Sequence, residues 1–379
     1  METGKPAPIG FSKKKAQEVL DRHGIDVLIA STPVNVFYTT GMPTLHVAPN
    51  PILYVLANQF PTVAMIRRDG ETCAFTWLVY QSTGKWTWVE DVTGTLSPQQ
   101  TMEEVSQKLK KWGAEDKAIA LETLMPRYQA DFLRGALPGA SFVEGDQAFL
   151  EMRLVKTEEE IRRIRRSTEI AERAILSVID AAREGITDNE LLAIARRTVV
   201  DEGAEGWDHL TMGLGASDPE APGLGYTVNR GEINRIDIGA VYKGYVSDVS
   251  REFVVGEPPE GAREHMDQMI QVQEFLEKNL KPGVNTKELF SESRKYAKSL
   301  SRRGMAFITA HSIGLECEEV HLFSPMRYLD VAFEENMVLD LEVWKSFGDF
   351  HLVGIEDCYR VTASGVERLS SLDKNLFVR

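Results

Sequence analysis

Residues 235–251 read RIDIGAVYKGYVSDVSR, and this stretch decides the fold because it sets two acidic residues among apolar, strand-forming ones. Asp237 and Asp248 lie in separate strand-like runs, equidistant from a turn whose tip we predict near Tyr242 and Lys243. In a hairpin with that tip, the two acids lie directly across from each other on one face. Acidic groups among apolar residues are costly to bury without a positive partner, so the pair predicts a bound cation.

A second pair of acidic residues shows the same arrangement nearer the C-terminus. Glu342 in LDLEV and Glu356 in GIEDC are equidistant from Asp349, which ends the turn-like stretch KSFGD. Four carboxylates almost completely offset two doubly charged ions, so the two hairpins predict a box that holds two divalent cations. The alternative is that these acids occupy ordinary turns and sheet edges. With the histidine of the segment AHSIGL, the predicted metal ligands are Asp237, Asp248, His311, Glu342 and Glu356.

The order and spacing of these five residues resemble those of a known superfamily. Asp, Asp, His, Glu and Glu follow one another at intervals of 11, 63, 31 and 14 residues. Their neighbours also match, with IDIG and YVSDVSR around the aspartates, HSIGL at the histidine and GIED at the last glutamate. The chain thus resembles the pita-bread metallohydrolases, which include methionine aminopeptidase, Xaa-Pro aminopeptidase, prolidase and creatinase.

The resemblance covers essentially the whole chain and implies a mixed α/β (α+β) fold in two domains. Residues 1–153 are expected to form a small creatinase-type N-terminal α/β domain. Residues 154–379 are expected to form the pita-bread catalytic domain with its dinuclear metal site. The resemblance also implies a homodimer.

The ligand set predicts a mechanism. Carboxylates with one imidazole suit Mn, Fe(II), Co or Zn. Two such ions about 3.5–4 Å apart would bridge a water and lower its pKa, so that hydroxide forms near neutral pH and attacks a carbonyl. Family precedent implies that both aspartates and Glu356 surround both ions, while His311 and Glu342 complete the coordination of one. The family default is a peptidase of the Xaa-Pro dipeptidase or aminopeptidase P type, acting on short peptides.

Two histidines expected from the resemblance are missing. Proline-specific relatives carry a second histidine seven residues after the ligand histidine, where this chain has Glu318. They carry another shortly before the first aspartate, whereas residues 211–234 contain none. We consider His321 as a displaced substitute, Glu318 or Glu319 as an acid/base, and Tyr226 as the residue that fills the upstream gap. A plain structural role is the alternative for each. Weaker candidates are His46, His209 and His351.

Three functions therefore compete at this stage. The first is the metal-dependent peptidase. The second is an enzyme of the same fold that acts on a non-peptide small molecule, such as an ectoine hydrolase or a sulfonium lyase, and the missing histidines favour it modestly. The third is a metal-free creatinase-like or binding-only protein, against which the intact ligand set argues, because such a branch has no reason to keep five buried charged groups.

Composition fits a soluble cytoplasmic enzyme. The net charge of −14 disfavours nucleic acid and anionic membranes as partners. We find no run of 18 apolar residues and no secretory signal. We therefore expect neither a membrane span nor export. Cys73, Cys317 and Cys358 are too few and too far apart for a disulfide framework. For Cys317 and Cys358, which lie beside the proposed ligands, small core residues are favoured over thiol ligands.

Local patterns predict the elements around these motifs. We expect a helix from Ser12 to His23, a strand over 26–30 and further strands over 51–56, 62–66 and 72–78. Thr157 and Glu160 form a capping box before a long helix whose arginines pair with nearby glutamates rather than forming an anion site. The glycine-rich stretch 212–225 is expected to be a loop. The other expected helices cover 103–112, 188–203, 265–280 and 286–301.

Overall fold

The chain divides into two compact units, Met1–Leu154 and Val155–Arg379, in a computed structural model. The structure describes residues 5–42, 59–78, 87–215, 220–300, 306–347 and 351–379. The mixed α/β class expected from the sequence is confirmed. Within the described residues, we find no helix that is both long and apolar enough to cross a bilayer.

The first unit is a six-stranded mixed sheet, with strand order β4-β3-β2-β1-β5-β6, covered by helices. Its first helix is capped at the N-terminus by Ser12, whose side chain accepts a hydrogen bond from Lys15 N, and at the C-terminus by Gly24, whose φ of 65° suits a glycine. The strand expected over 51–56 lies outside the described residues. The helices are α1 (Lys13–His23), α2 (Pro33–Thr40), α3 (Pro98–Lys111), α4 (Arg127–Ala136) and α5 (Asp146–Leu154), and the strands are β1 (Val27–Ala30), β2 (Val63–Arg67), β3 (Thr72–Trp77), β4 (Asp91–Thr95), β5 (Ala118–Leu121) and β6 (Ser141–Glu144).

The second unit is built on a ten-stranded sheet. Its main path runs β12-β11-β13-β14-β10-β8-β7, while β15 pairs with β14, β16 with β10 and β9 with β8. The helices are α6 (Glu158–Ala181), α7 (Asp188–Asp201), α8 (Ala262–Asn279) and α9 (Thr286–Leu300), and the strands are β7 (Gly206–Leu214), β8 (Ile233–Tyr242), β9 (Tyr245–Val246), β10 (Val249–Val254), β11 (Phe307–Ser312), β12 (Val320–Phe323), β13 (Val338–Phe347), β14 (His351–Thr362), β15 (Gly365–Arg368) and β16 (Phe377–Val378).

Helix α6 begins as predicted. The Thr157 side chain accepts from the Glu160 amide, and the Glu160 carboxylate accepts from the Thr157 amide at 2.7 Å. The arginines of α6 pair with glutamates, as expected for a solvated helix face; these ion pairs are Arg162–Glu159, Arg163–Glu159, Arg165–Glu367 and Arg166–Glu169.

The core of the second unit decides which strand face carries the polar residues. Ile236 and Ile238 of β8 are fully buried in one apolar cluster with Ile175 of α6 and Leu192 of α7. Because successive side chains of a strand point to opposite faces, Asp237 points away from these helices. The apolar packing of β8 therefore fixes the face on which the acid lies.

Candidate metal centre

The first hairpin places both aspartates on one face, but the predicted register is wrong. Asp237 pairs with Ser250, and Val249 pairs with Ile238, so the two aspartates are diagonal neighbours rather than directly opposed. The cause is the turn. Lys243 and Gly244, with φ of 49° and 83°, are its two central residues, so the tip lies one residue later than predicted. Positive φ at both positions is typical of a two-residue type I′ turn. Moving the tip by one residue shifts the pairing by two positions, which preserves the face.

The second hairpin has the predicted register. Glu342 of β13 lies directly opposite Glu356 of β14. The predicted tip at Asp349 lies outside the described residues. Strand β11 flanks β13 on its other side and pairs Thr309 with Glu342 and His311 with Asp340. The sheet order therefore brings the histidine strand next to the two glutamate strands.

The five predicted ligands converge. His311 Nε2 lies 3.4 Å from Glu356 Oε1 and 4.0 Å from Asp248 Oδ2. Candidate ligand atoms of Asp248, His311 and Glu356 all lie within 4.8 Å of one another. These three side chains are buried, as is Asp237. Glu342 belongs to neither of the triads at this site, although Arg235 joins it to Asp237 and Glu356.

His209 is a site residue that the sequence reasoning ranked too low. Its Nε2 lies 3.2 Å from Asp237 Oδ1 and 3.2 Å from Asp248 Oδ1, and these residues form a second triad with atoms within 4.8 Å. Strand β7 pairs with β8 and so brings His209 over the aspartates. Gly239 makes this possible, because a Cβ there would lie 2.5 Å from the imidazole of His209. These two triads share Asp248, and a third triad of Asp208, His209 and Cys317 shares His209 with the second.

Arg235 is the second residue that the sequence reasoning missed. Its Nη2 lies 2.8 Å from both Asp237 Oδ2 and Glu342 Oε1, and 3.4 Å from Glu356 Oε2. It stands two residues before Asp237 on the same strand, and therefore on the same face. A buried guanidinium thus contacts three of the five predicted ligands.

Burial and charge perturb the carboxyl groups strongly. Burial raises the pKa of Asp237, but the Arg235 guanidinium and His209 outweigh it and lower that pKa to about 2. Burial and the neighbouring Asp237 carboxylate raise the pKa of Asp248 to about 6, against the opposite effect of His209. Burial and nearby carboxylates raise the pKa of Glu356 well above its ordinary value. Such crowding of acids is relieved when a cation is bound among them.

Contacts around His311 orient it. Its Nδ1 lies 2.9 Å from the Cys317 carbonyl oxygen, so this nitrogen donates and leaves Nε2 free to face Asp248 and Glu356. A metal-binding histidine is commonly oriented through its other nitrogen in this way. Asp340, directly opposite His311 in the sheet, is buried, and neither of its oxygens has a hydrogen-bond partner among the described residues.

The predicted acid/base residues have different placements. His321 lies opposite His311 across β11 and β12, with ring centroids 6.1 Å apart, and its Nε2 lies 3.8 Å from Glu318 Oε2. Burial lowers the pKa of His321, which favours the neutral imidazole. The side chain of Glu319 is buried and ion-paired with Lys156 at 2.8 Å, which is a structural arrangement.

The remaining candidates are one tyrosine, two histidines and two cysteines. Tyr226 is 52% exposed, and we find no hydrogen bond between its side chain and a ligand among the described residues. His46 and the side chain of His351 lie outside the described part of the chain. Cys317 is partly buried, and its thiol lies within 4.8 Å of candidate ligand atoms of Asp208 and His209, whereas Cys358 is buried. Burial raises the pKa of both thiols, which favours protonated thiols over thiolate ligands.

A mixed α/β scaffold that gathers buried carboxylates and imidazoles into two overlapping donor triads defines a metallohydrolase centre. Comparison with known proteins supports this class of protein. A model of metallopeptidase family M24 matches residues 162–363, and a model of the creatinase/prolidase N-terminal domain matches residues 13–155. The chain belongs to metallopeptidase family M24, and with it to the pita-bread superfamily, as the ligand order indicated.

Relatives match along most of the chain. The Xaa-Pro dipeptidase of Pyrococcus horikoshii is 28% identical over 369 residues, covering 96% of this chain and 97% of the relative. The Xaa-Pro dipeptidase of Pyrococcus furiosus is 31% identical over 240 residues, covering 62% and 68%. The fold matches that of the Xaa-Pro dipeptidase from Bacillus anthracis with a TM-score of 0.81 at 21% identity, covering 97% of this chain and 99% of that one.

Proposed function

We propose that this metallohydrolase cleaves short peptides at the bond to proline, as an Xaa-Pro dipeptidase or an aminopeptidase P-like enzyme. The observation that carries the proposal is the convergence of Asp237, Asp248, His311, Glu342 and Glu356 on one face of the sheet. Full-length relatives named Xaa-Pro dipeptidase support the substrate class.

The residues present fit two divalent ions. Two donor triads, one with His209 and one with His311, share Asp248. Asp248 Oδ1 is buried and has no hydrogen-bond partner among the described residues, although His209 Nε2 lies 3.2 Å away. Carboxylate oxygens with imidazole nitrogens suit Mn, Fe(II), Co or Zn. When bound, such ions supply an activated water and stabilise negative charge on the substrate carbonyl oxygen.

The chain's own residues supply orientation and proton transfer. The Cys317 carbonyl holds the His311 ring with Nε2 toward the carboxylates. His321, beside His311 and partly exposed, accepts a proton from the attacking water and passes it to the departing amine, and Glu318 next to it orients the imidazole. His321 thereby takes the place of the histidine that proline-specific relatives carry at the position of Glu318.

The proposal also covers the cellular location and the oligomeric state of the protein. All three cysteines are free, which supports a reducing compartment such as the cytoplasm. Homodimerisation stays a prediction from the family resemblance, and light scattering during gel filtration tests it.

A substrate panel tests the activity. The protein is stripped with a chelator, reloaded with Mn(II), and assayed on Xaa-Pro dipeptides, Xaa-Pro-Xaa tripeptides, and ectoine-like and sulfonium compounds. We expect turnover of prolyl peptides that depends on added metal and falls to background in D248A. Inactivity on every prolyl peptide, with metal bound, overturns the peptidase assignment. Turnover of an ectoine-like or sulfonium compound in that case identifies the non-peptide alternative.

A further inference from the structure

Arg235 makes more contacts through one nitrogen than that nitrogen can satisfy. Its Nη2 lies 2.8 Å from Asp237, 2.8 Å from Glu342, 3.2 Å from Ser250 and 3.4 Å from Glu356. A guanidinium nitrogen of this kind carries only two N–H donors. Meanwhile Nε of the same side chain is buried without a partner. In its position among the ligands, the Arg235 guanidinium is therefore incompletely hydrogen-bonded.

A buried carboxyl group lies on the neighbouring strand, opposite Arg235. Glu252 of β10 lies directly opposite Arg235 of β8, so both side chains are on one face of the sheet. Glu252 is 1% exposed, and neither of its oxygens has a hydrogen-bond partner with good geometry among the described residues. An unpaired carboxylate at that depth is costly. Its nearest cross-strand cation is occupied with the ligands instead.

For the set formed by the four ligand carboxylates, Arg235 and Glu252, the charges balance when two divalent cations are counted in. The four ligand carboxylates carry four negative charges, which two divalent ions cancel. Arg235 then becomes a surplus positive charge beside the ions. Burial raises the pKa of Glu252 to about 8, so this carboxyl group ionises fully, and becomes a surplus negative charge, when the guanidinium opposite it on the sheet approaches. The two surplus charges cancel if they meet, and each then gains the partner that it lacks.

We propose that Arg235 is an internal cation that neutralises the ligand carboxylates before metal binds and moves to Glu252 when the ions enter. This inference rests on the proposed binding of two divalent ions. It makes metal uptake and formation of the Arg235–Glu252 ion pair one coupled equilibrium. The arginine protects the metal-free centre from carboxylate repulsion at the cost of weaker binding of one ion.

Calorimetric titration of the chelator-stripped full chain with Mn(II) tests the coupling. R235L removes the competitor, and we expect the weaker of the two ions to bind about tenfold more tightly. E252Q removes the charge that receives the arginine, and we expect that ion to bind about tenfold more weakly. In R235L/E252Q the Glu252 substitution has no further effect. E257Q, a change of the same kind at an exposed glutamate, serves as the control and leaves both affinities unchanged.

The outcomes separate this inference from the proposed function. If the wild-type protein binds two ions and R235L and E252Q bind them with unchanged affinity, the internal-cation proposal is overturned. If the wild-type protein binds no Mn(II), the two-ion proposal itself fails. Thermal melting followed by circular dichroism checks that each variant is folded. Should R235L not fold, the nearly isosteric E252Q decides alone, because an unchanged second affinity contradicts the proposal.

Discussion

The two acidic hairpins carry the same type of residue pair but differ in geometry. In the glutamate hairpin, Glu342 and Glu356 are directly opposed. In the aspartate hairpin, Asp237 and Asp248 are offset by two positions because the turn is centred on Lys243 and Gly244. The offset sets Asp248 near Gly239 rather than opposite Asp237. An imidazole from a third strand occupies the space that this glycine leaves.

The hairpins also differ in their cations. The aspartate hairpin contains Arg235 and borders His209, so it brings positive groups of its own to the site. The glutamate hairpin depends on cations from elsewhere, since Glu342 is paired with the same Arg235. We therefore expect the aspartate hairpin to control metal affinity and Glu342 to be the more replaceable of the predicted ligands.

The largest expected effect is that of removing the carboxylate shared by both triads. Because bound ions supply several kcal/mol of transition-state stabilisation, D248A should lower turnover by about a thousandfold or more. E342A should lower it less, since Glu342 lies in neither triad at this site. Steady-state assays and metal analysis of both variants check this order. A larger loss in E342A than in D248A would contradict the comparison.

The next effect tests the space at Gly239. A Cβ there would lie 2.5 Å from the His209 ring and 2.8 Å from the Ser247 carbonyl oxygen. G239A should therefore destabilise the fold by about 1–3 kcal/mol and displace His209, which weakens Mn(II) binding. G354A in the glutamate hairpin, where a Cβ meets Trp344 and Val343, is the matched control. It should cost similar stability without displacing an imidazole. Equal losses of metal affinity in the two variants would argue against a special role for Gly239.

A smaller effect is expected from removing the imidazole itself. H209A keeps all five predicted ligands, so we expect metal affinity to fall by about 10–100-fold while the fold is retained. Calorimetry with Mn(II) measures the affinity, and thermal melting confirms folding. Binding identical to that of the wild type would show that His209 is only a neighbour of the aspartates.

Some features of this site could be predicted from the sequence, and others could not. The shared face of the acidic residues followed from strand alternation, because a face depends only on residue parity. The register of the aspartate hairpin did not, because the sequence alone does not tell which two residues adopt positive φ. The place of Arg235 in the site could have been predicted, since this residue stands two positions before Asp237 on the same strand. The place of His209 could not have been predicted, because it depends on the pairing of β7 with β8, and His209 lies 28 residues before Asp237 in the sequence.

The smallest expected effect concerns the turn that sets the offset. Lys243 adopts φ of 49°, which is unfavourable for lysine and natural for asparagine. K243N should raise stability by about 0.5 kcal/mol and leave turnover unchanged, because the register stays the same. Chemical denaturation and peptide assays check both parts. Altered activity would indicate that the turn is not centred where the structure has it.

Anomalous diffraction from crystals soaked in Mn(II) tests the account most directly, because it locates each ion by its ligands. We expect two strong peaks that share Asp248, one beside His311 and Glu356 and the other beside His209 and Asp237. No peak among these residues, or peaks only at other sites, would contradict the proposal that the two hairpins build one metal centre.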